Sequence, residues 1–199
     1  MAVEHEIEFK QILEPSTYEA IKATYFSSSQ SFSQINHYID TPDLQIIKHK
    51  MALRIREKAN GTNELTLKVP AHVGLTEYNH LTSFQPISDH HVPETYITPD
   101  IKKILQQYHI DVSSLKVLGT LTTHRMETQL RMGLLVLDHS QYLGKEDYEL
   151  EFEVSSYKEG LCAFEQILSQ FQLKHQQPAN KVQRFFEQQQ NLFNNHTSS

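Results

Sequence analysis

Carboxylates recur at every second position late in the chain. Glu149, Glu151 and Glu153 are separated by single apolar residues. Successive side chains of a β-strand point to opposite faces, so these three carboxylates would share one face. Like charges this close repel each other, and the arrangement persists only in bulk water or around something positive. Clustered carboxylates bind hard divalent cations such as Mg²⁺ or Mn²⁺, which makes metal binding the first chemistry to consider.

The same spacing opens the chain. Glu6, Glu8 and Lys10 alternate with Ile7 and Phe9, which places two carboxylates and an amine on one strand face. Basic residues follow the alternation on other segments, where guanidinium and ammonium groups could bind phosphate oxygens. These basic residues are Arg54, Arg56, Lys68 and Arg125.

The basic and acidic residues are segregated by segment. A half-buried sheet with its charged face in water would explain any one of these segments. Repetition of the pattern along the chain instead favours a sheet closed into a barrel, with a basic wall and an acidic wall inside. A metal-bound polyphosphate would satisfy both walls. The sequence therefore predicts a closed sheet with a charged interior, organised around metal-bound phosphate.

The hydrophobic periodicity predicts the elements that position these residues. Pro99 in the first turn predicts a helix within an insertion at 83–116 that plugs or braces the sheet. The predicted strands are 4–12, 35–41, 51–58, 64–69, 75–81, 116–130, 134–138 and 149–153. Further helices are predicted at 15–26, at 161–171 and from about 178 to 193. We expect a single domain over residues 1–193 and a disordered polar tail at 194–199.

Composition limits the class of protein. The chain has 199 residues, of which 38% are apolar and 21% charged, as in a soluble globular protein. A net charge of −6 argues against general nucleic-acid binding. No apolar run approaches the ~18 residues of a membrane span. A single cysteine and a charged amino-terminal segment predict a cytoplasmic protein, as a monomer or a homodimer.

The ordered set of charged residues resembles the CYTH superfamily, the triphosphate tunnel metalloenzymes. Residues 6–10 resemble its Glu-x-Glu-x-Lys signature, 38–41 its Tyr-x-Asp-Thr strand end, and 53–56 its Arg-x-Arg strand. The lysine strand at 65–68, Arg125, Asp138 and the acidic strand follow in the family's order. The likeness runs along almost the whole chain and is to the short CYTH-domain proteins of Gram-positive bacteria.

The resemblance implies an α+β fold, a closed eight-stranded antiparallel β-barrel with flanking helices, open at both ends and holding triphosphate in its tunnel. The implied ligands of Mg²⁺ or Mn²⁺ are Glu6, Glu8, Asp138, Glu149, Glu151 and Glu153. The implied phosphate-binding residues are Lys10, Arg54, Arg56, Lys68, Arg125 and Lys181. The implied catalytic residues are Glu6, Glu8, Lys10, Arg54 and Arg56. Glu64 and Glu77 are either tunnel residues or salt-bridge partners.

Three functions fit this set of residues. The first is a metal-dependent triphosphatase that hydrolyses inorganic tripolyphosphate or a nucleoside triphosphate. The second is a class IV adenylate cyclase, in which the ribose hydroxyl attacks and pyrophosphate leaves. The third is a module that binds polyphosphate or nucleotide without turnover. The tunnel residues would be nearly the same in each, so the sequence leaves the choice open.

Overall fold

The computed structural model describes residues 2–197 and the side chains of residues 2–195. Alternation of apolar and charged residues produces strands, because each segment buries one face and directs the other into the barrel. The strands are β1 Ala2–Leu13, β2 Phe32–Asp40, β3 Ala52–Glu57, β4 Asn63–Pro70, β5 Leu75–Thr82, β6 Lys116–Leu130, β7 Gly133–Tyr142 and β8 Lys145–Val154.

These strands form one closed barrel in the order β1-β5-β4-β3-β2-β6-β7-β8, in which β8 pairs with β1. Every pairing is antiparallel. The predicted closed eight-stranded antiparallel barrel is therefore confirmed. In this order β3 and β8 lie on opposite sides of the barrel, with three strands between them in either direction.

Five α-helices surround the barrel in the described range. They are α1 Pro15–Tyr25, α2 Gln45–Lys48, α3 Pro99–Gln107, α4 Tyr157–Ser169 and α5 Lys181–Thr197. None of the helices within residues 2–197 is long and apolar enough to cross a membrane.

Residues 194–197, which the sequence assigns to a polar tail, continue α5. Once its first turns are docked by Val182, Phe185 and Phe186, a helix extends at little cost per residue. Ser198 and Ser199 lie outside the described residues. The predicted domain bounds of 1–193 stay a prediction.

The apolar outer face of the barrel is covered by the connections between strands. Ile101 and Leu105 of α3 are buried in one cluster with Leu53 of β3 and Leu65 of β4. A second cluster joins α1 and α4 to β1, β7 and β8. The insertion at 83–116 therefore braces the outside of the sheet and leaves the interior to the charged side chains.

Helix α5 covers part of one end of the barrel, where the resemblance implies an opening. Phe185 packs against inward-facing Tyr38 and Leu121. A Cβ atom at Gly119 would lie 2.3 Å from the Phe185 ring, so this close approach requires glycine. The opposite end, formed by the start of β1 and β7 and the end of β5, gives access to the interior. The expectation of a barrel open at both ends is corrected for the part beneath α5.

Candidate active site

The barrel encloses a cavity of about 540 Å³, and charged side chains dominate its wall. As many carboxylates as cations line it. The cations are Lys10, Lys50, Arg54, Arg56, Lys58, Lys68, Arg125 and Lys181. The carboxylates are Glu4, Glu6, Glu8, Glu64, Glu77, Glu127, Glu151 and Glu153. The structure thus brings together all the sequence-predicted site residues except Asp138 and Glu149, which are buried behind this wall.

The two signs of charge face each other across the cavity. Arg54 and Arg56 project inward from β3, whereas Glu151 and Glu153 project inward from β8 on the opposite side. Leu53 and Ile55, which alternate with the two arginines, are by contrast buried in the outer apolar cluster. The predicted basic and acidic walls therefore exist, and the period of two residues along each strand creates them.

The two arginines of β3 lack a direct ion-pair partner among the side chains that the structure describes. Neither forms an ion pair within the described part of the chain, and the buried Nε of Arg54 has no hydrogen-bond partner there. Arg56 donates from Nε to Oδ1 of Asn36 at 3.2 Å. Burial and the nearby guanidinium groups of Arg54 and Arg125 lower the pKa of Arg56 to about 9. Both guanidinium groups can therefore form charge-assisted hydrogen bonds with an anionic ligand.

Glu6, Glu8 and Glu153, which we call the outer carboxylates, lie toward the accessible end of the cavity. Glu8 is directly opposite Glu153 in the pairing of β1 with β8. Glu6 pairs with Lys68 at 2.7 Å, and Glu8 pairs with Lys10 at 2.7 Å. Glu153 has no ion-pair partner among residues 2–195.

Two of the outer carboxylates, Glu6 and Glu153, have raised pKa values. Burial, with smaller contributions from neighbouring carboxylates, raises the pKa of Glu6 to about 7 even though Lys68 opposes this shift. Burial also raises the pKa of Glu153. A divalent cation would stabilise the ionised form of these groups, and carboxylate oxygens are the ligands that Mg²⁺ and Mn²⁺ prefer. The outer carboxylates therefore fit a metal site.

Asp138, Glu149 and Glu151, the inner cluster, have a different environment. Their carboxylate oxygens come within 4.8 Å of one another, a spacing that could hold a metal ion. The ammonium group of Lys181 contacts all three, with its Nζ 2.8 Å from Asp138 Oδ2. Arg125 donates to both oxygens of Asp138, at 2.8 and 2.7 Å, and to Oε2 of Glu151 at 2.8 Å.

Arg184 completes the inner cluster and was not among the residues predicted from the sequence. Its Nη1 donates to Glu149 Oε2 at 2.8 Å, and its Nε donates to Asp147 Oδ2 at 2.9 Å. Every carboxylate oxygen of the inner cluster therefore has a cationic partner. The available signal was the spacing of Lys181 and Arg184, which lie three residues apart on a helix and so share a face.

Glu64 and Glu77 both line the cavity and form ion pairs. Glu64 accepts from Lys58 at 2.8 Å. Glu77 pairs with Lys68, and although burial opposes ionisation, Lys68 and Arg54 lower the pKa of Glu77 below its ordinary value. Each is thus a tunnel residue and a salt-bridge partner at once.

The Tyr-x-Asp-Thr segment at the end of β2 has a structural use. The carboxylate of Asp40, 1% exposed, accepts hydrogen bonds from the backbone N–H groups of Ile46 at 2.8 Å and Ile47 at 3.0 Å. It thereby holds the single turn of α2, which the sequence did not predict. This turn leads the chain into Lys50 and β3, whereas Tyr38 faces the cavity.

Comparisons with solved structures agree with this barrel. A Bacillus halodurans protein, solved as "a putative adenylate cyclase", is 36% identical with a TM-score of 0.81, and the match covers 94% of this chain and 100% of that one. The Hippeastrum protein HpAC1, described as a putative adenylyl cyclase with a dominant triphosphatase activity, is 19% identical with a TM-score of 0.72. That match covers 92% of this chain and 95% of HpAC1, and it shows a shared fold.

Sequence comparison points the same way. The Bacillus subtilis protein named "Putative triphosphatase YjbK" is 40% identical over 190 residues, which are 94% of this chain and 97% of that protein. The family model of the CYTH domain matches residues 4–186, a range that includes the whole barrel from β1 residue 4 onward and the start of α5. The chain therefore belongs to the CYTH domain family.

Proposed function

We propose that this protein is a divalent-metal-dependent triphosphatase that hydrolyses inorganic tripolyphosphate or a nucleoside triphosphate in the barrel cavity. The observation that carries the proposal is that Arg54 and Arg56 have no ion pair among the described residues and face Glu153, a carboxylate that also has none. A ligand with both phosphate oxygens and a metal ion satisfies both walls. The 40% identical relative named as a triphosphatase supports the same activity.

The phosphate chain would lie along the basic wall. Arg54 and Arg56 supply planar guanidinium groups for bidentate contacts, whereas Lys10 and Lys68 supply point charges. Arg125 is already bonded to Asp138 and Glu151 and lines the cavity beside them. We assign phosphate binding to Lys10, Arg54, Arg56, Lys68 and Arg125, and to Lys181 only if its ammonium leaves the inner cluster.

Charge balance supports a requirement for metal. Because the lining carries equal numbers of cations and carboxylates, a triphosphate alone would leave the cavity with excess negative charge. Glu6, Glu8 and Glu153 would hold the compensating Mg²⁺ or Mn²⁺. Such an ion supplies Lewis-acid polarisation of a phosphoryl oxygen and lowers the pKa of bound water. The predicted ligands Asp138, Glu149 and Glu151 already have cationic partners within the chain, so we place them second.

The remaining chemistry rests on side chains of this chain. Negative charge spreads over the oxygens of the transferred phosphoryl group in the transition state, and fixed cations stabilise it. Arg54, Arg56 and Lys10 are positioned to do this from the cavity wall. Glu8 orients Lys10 through their 2.7 Å ion pair. A side-chain nucleophile is not required for this reaction.

Adenylate cyclase activity is the second candidate, and the 36% identical solved relative described as a putative adenylate cyclase favours it. Against it, Tyr38 is the only aromatic residue among the described residues that line the cavity, and it is 3% exposed. The cavity wall itself therefore offers a nucleobase little aromatic surface to stack on. Incubation with ATP and Mg²⁺ or Mn²⁺ distinguishes the two, because a cyclase releases cyclic AMP and pyrophosphate and a triphosphatase releases orthophosphate.

The proposal is tested by Glu8→Gln and Arg54→Ala, assayed with tripolyphosphate and ATP at saturating Mg²⁺ or Mn²⁺. We expect each variant to fold and to lose at least about 10²-fold in turnover, the effect of removing one electrostatic group from an active site. Arg131→Ala, in the exposed turn between β6 and β7, is the matched control and should retain activity. Near wild-type phosphate release by both tunnel variants would refute the assigned roles.

A further inference from the structure

Arg184 connects helix α5 to the acidic strand through contacts that no part of the proposed chemistry uses directly. Its side chain is 9% exposed and bridges Asp147 and Glu149, two inward-facing residues of β8. Its Nη1 also donates to the backbone carbonyl of Ala179, just before α5 begins. One guanidinium group therefore fixes both the acidic strand and the chain entering the helix.

The oxygens of Glu149 are divided between two residues of α5. Oε1 accepts from Lys181, and Oε2 accepts from Arg184. Because Arg184 satisfies Oε2, the ammonium of Lys181 is free to contact Asp138 and Glu151 as well as Glu149. Without Arg184, Oε2 of a carboxylate that is 1% exposed would have no cationic partner other than Lys181. Lys181 would then shift toward Glu149 and away from the other two carboxylates.

The consequence of such a shift reaches the cavity wall. Glu151, which Lys181 contacts, also accepts from Lys10 at 3.4 Å and from Arg125 at 2.8 Å. Lys10 and Arg125 both line the cavity. A displacement of about 1 Å in an active site can cost roughly 10²-fold in rate, even when it originates away from the chemistry.

We infer that Arg184 is a positioning residue that holds Lys181 among the three inner carboxylates and, through Glu151, sets the places of Lys10 and Arg125 in the cavity wall. This makes α5 part of the site as well as a cover for one end of the barrel. The expected effect of Arg184 on turnover rests on the proposed triphosphatase function. Its effect on the position of Lys181 is independent of that function.

The position of Lys181 is measured first, by reductive methylation and mass spectrometry of Arg184→Met. In the wild-type protein the Lys181 side chain is 12% exposed and forms three ion pairs, so its labelling should be slow. We expect faster labelling of Lys181 in Arg184→Met, because its ammonium keeps the contact with Glu149 but loses those with Asp138 and Glu151. Lys158, exposed on α4, is the internal reference and should react equally in both proteins. Unchanged protection of Lys181 in the variant would overturn the inference, whether or not the protein hydrolyses triphosphates.

The kinetic part is tested with tripolyphosphate under saturating metal, with rates expressed per folded molecule. Arg184→Met should lower kcat by about 10²-fold, and KM should rise by a smaller factor, because Lys10 and Arg125 are displaced while Arg54, Arg56 and Lys68 still bind phosphate. Arg184→Lys keeps one of the two carboxylate contacts and should recover part of kcat. Arg131→Met is the control for loss of an arginine. A variant that melts earlier but keeps wild-type kcat would show that Arg184 only fastens α5, and an inactive wild-type protein would instead refute the proposed function.

Discussion

The inner cluster, on β7 and β8, and the outer carboxylates, on β1 and β8, share one strand of the barrel, yet they differ in how completely the chain neutralises their charge. Around Asp138, Glu149 and Glu151, each carboxylate oxygen meets an ammonium or guanidinium group of the chain. Farther out, Glu153 has no ion pair among the described residues, and neither do Arg54 and Arg56 on the opposite wall.

The difference distinguishes charged groups that stabilise the fold from charged groups that are available to bind a ligand. A buried carboxylate with all its partners inside the chain is part of the scaffold, since removing one partner leaves an uncompensated charge. A buried charge without a partner costs free energy in the ligand-free protein, and binding a complementary ion recovers it. Burial of acidic residues alone would not have distinguished the two regions, because carboxylates of both are largely buried.

The largest effect that separates the regions is expected on stability. Asp138→Ala removes a fully buried partner of Arg125 and Lys181 and should lower the free energy of unfolding by about 3–5 kcal/mol. Arg54→Met removes a half-buried charge without an ion pair and should leave stability unchanged or raise it. Urea unfolding of both variants measures the contrast. Equal destabilisation by the two substitutions would show that the inner cluster and the basic wall do not differ in their contribution to stability.

A smaller effect is expected from ligand binding. Tripolyphosphate with Mn²⁺, each present at about 100 times its Kd, should stabilise the wild-type protein by about 2.7 kcal/mol. Arg54→Met should lose most of this gain, because the basic wall supplies the differential binding to the folded state. Thermal melts with and without ligand provide the measurement. An undiminished gain in Arg54→Met would place the ligand elsewhere.

The smallest effect is expected where a charge pair is exposed to water. Lys58, with a side chain 37% exposed, pairs with Glu64 at 2.8 Å near the accessible end of the cavity. Lys58→Met should change the free energy of unfolding by about 0–1 kcal/mol, since water screens such pairs. Chemical denaturation measures the free energy of unfolding of this variant and of Asp138→Ala under the same conditions. A cost near that of Asp138→Ala would show that burial does not decide the outcome.

The parts of the molecule that depend on local pattern could be predicted from the sequence. The predicted strand at 116–130 has the observed bounds of β6, Lys116–Leu130. Inward placement of Arg54, Arg56 and Glu151 followed from alternation, because the two faces of a strand are fixed by residue parity. Closure of the barrel followed from the repetition of this pattern.

The parts that depend on docking could not be predicted. Where Lys181 places its ammonium depends on how α5 packs across the end of the barrel, and Phe185 against Gly119 determines that packing. The sequence did not predict Arg184 as a site residue, because the side chain of a basic residue on a helix is usually exposed to solvent. The turn α2 depends on the buried carboxylate of Asp40, whose partners are backbone groups that no residue pattern reveals.

The most direct measurement is the anomalous scattering of Mn²⁺ in crystals grown with tripolyphosphate under conditions that prevent turnover. The account predicts an Mn²⁺ peak bounded by Glu6, Glu8 and Glu153, with the phosphate chain against Arg54 and Arg56 and with Lys181 still among the inner carboxylates. A peak between Asp138, Glu149 and Glu151, with Lys181 displaced, would contradict it.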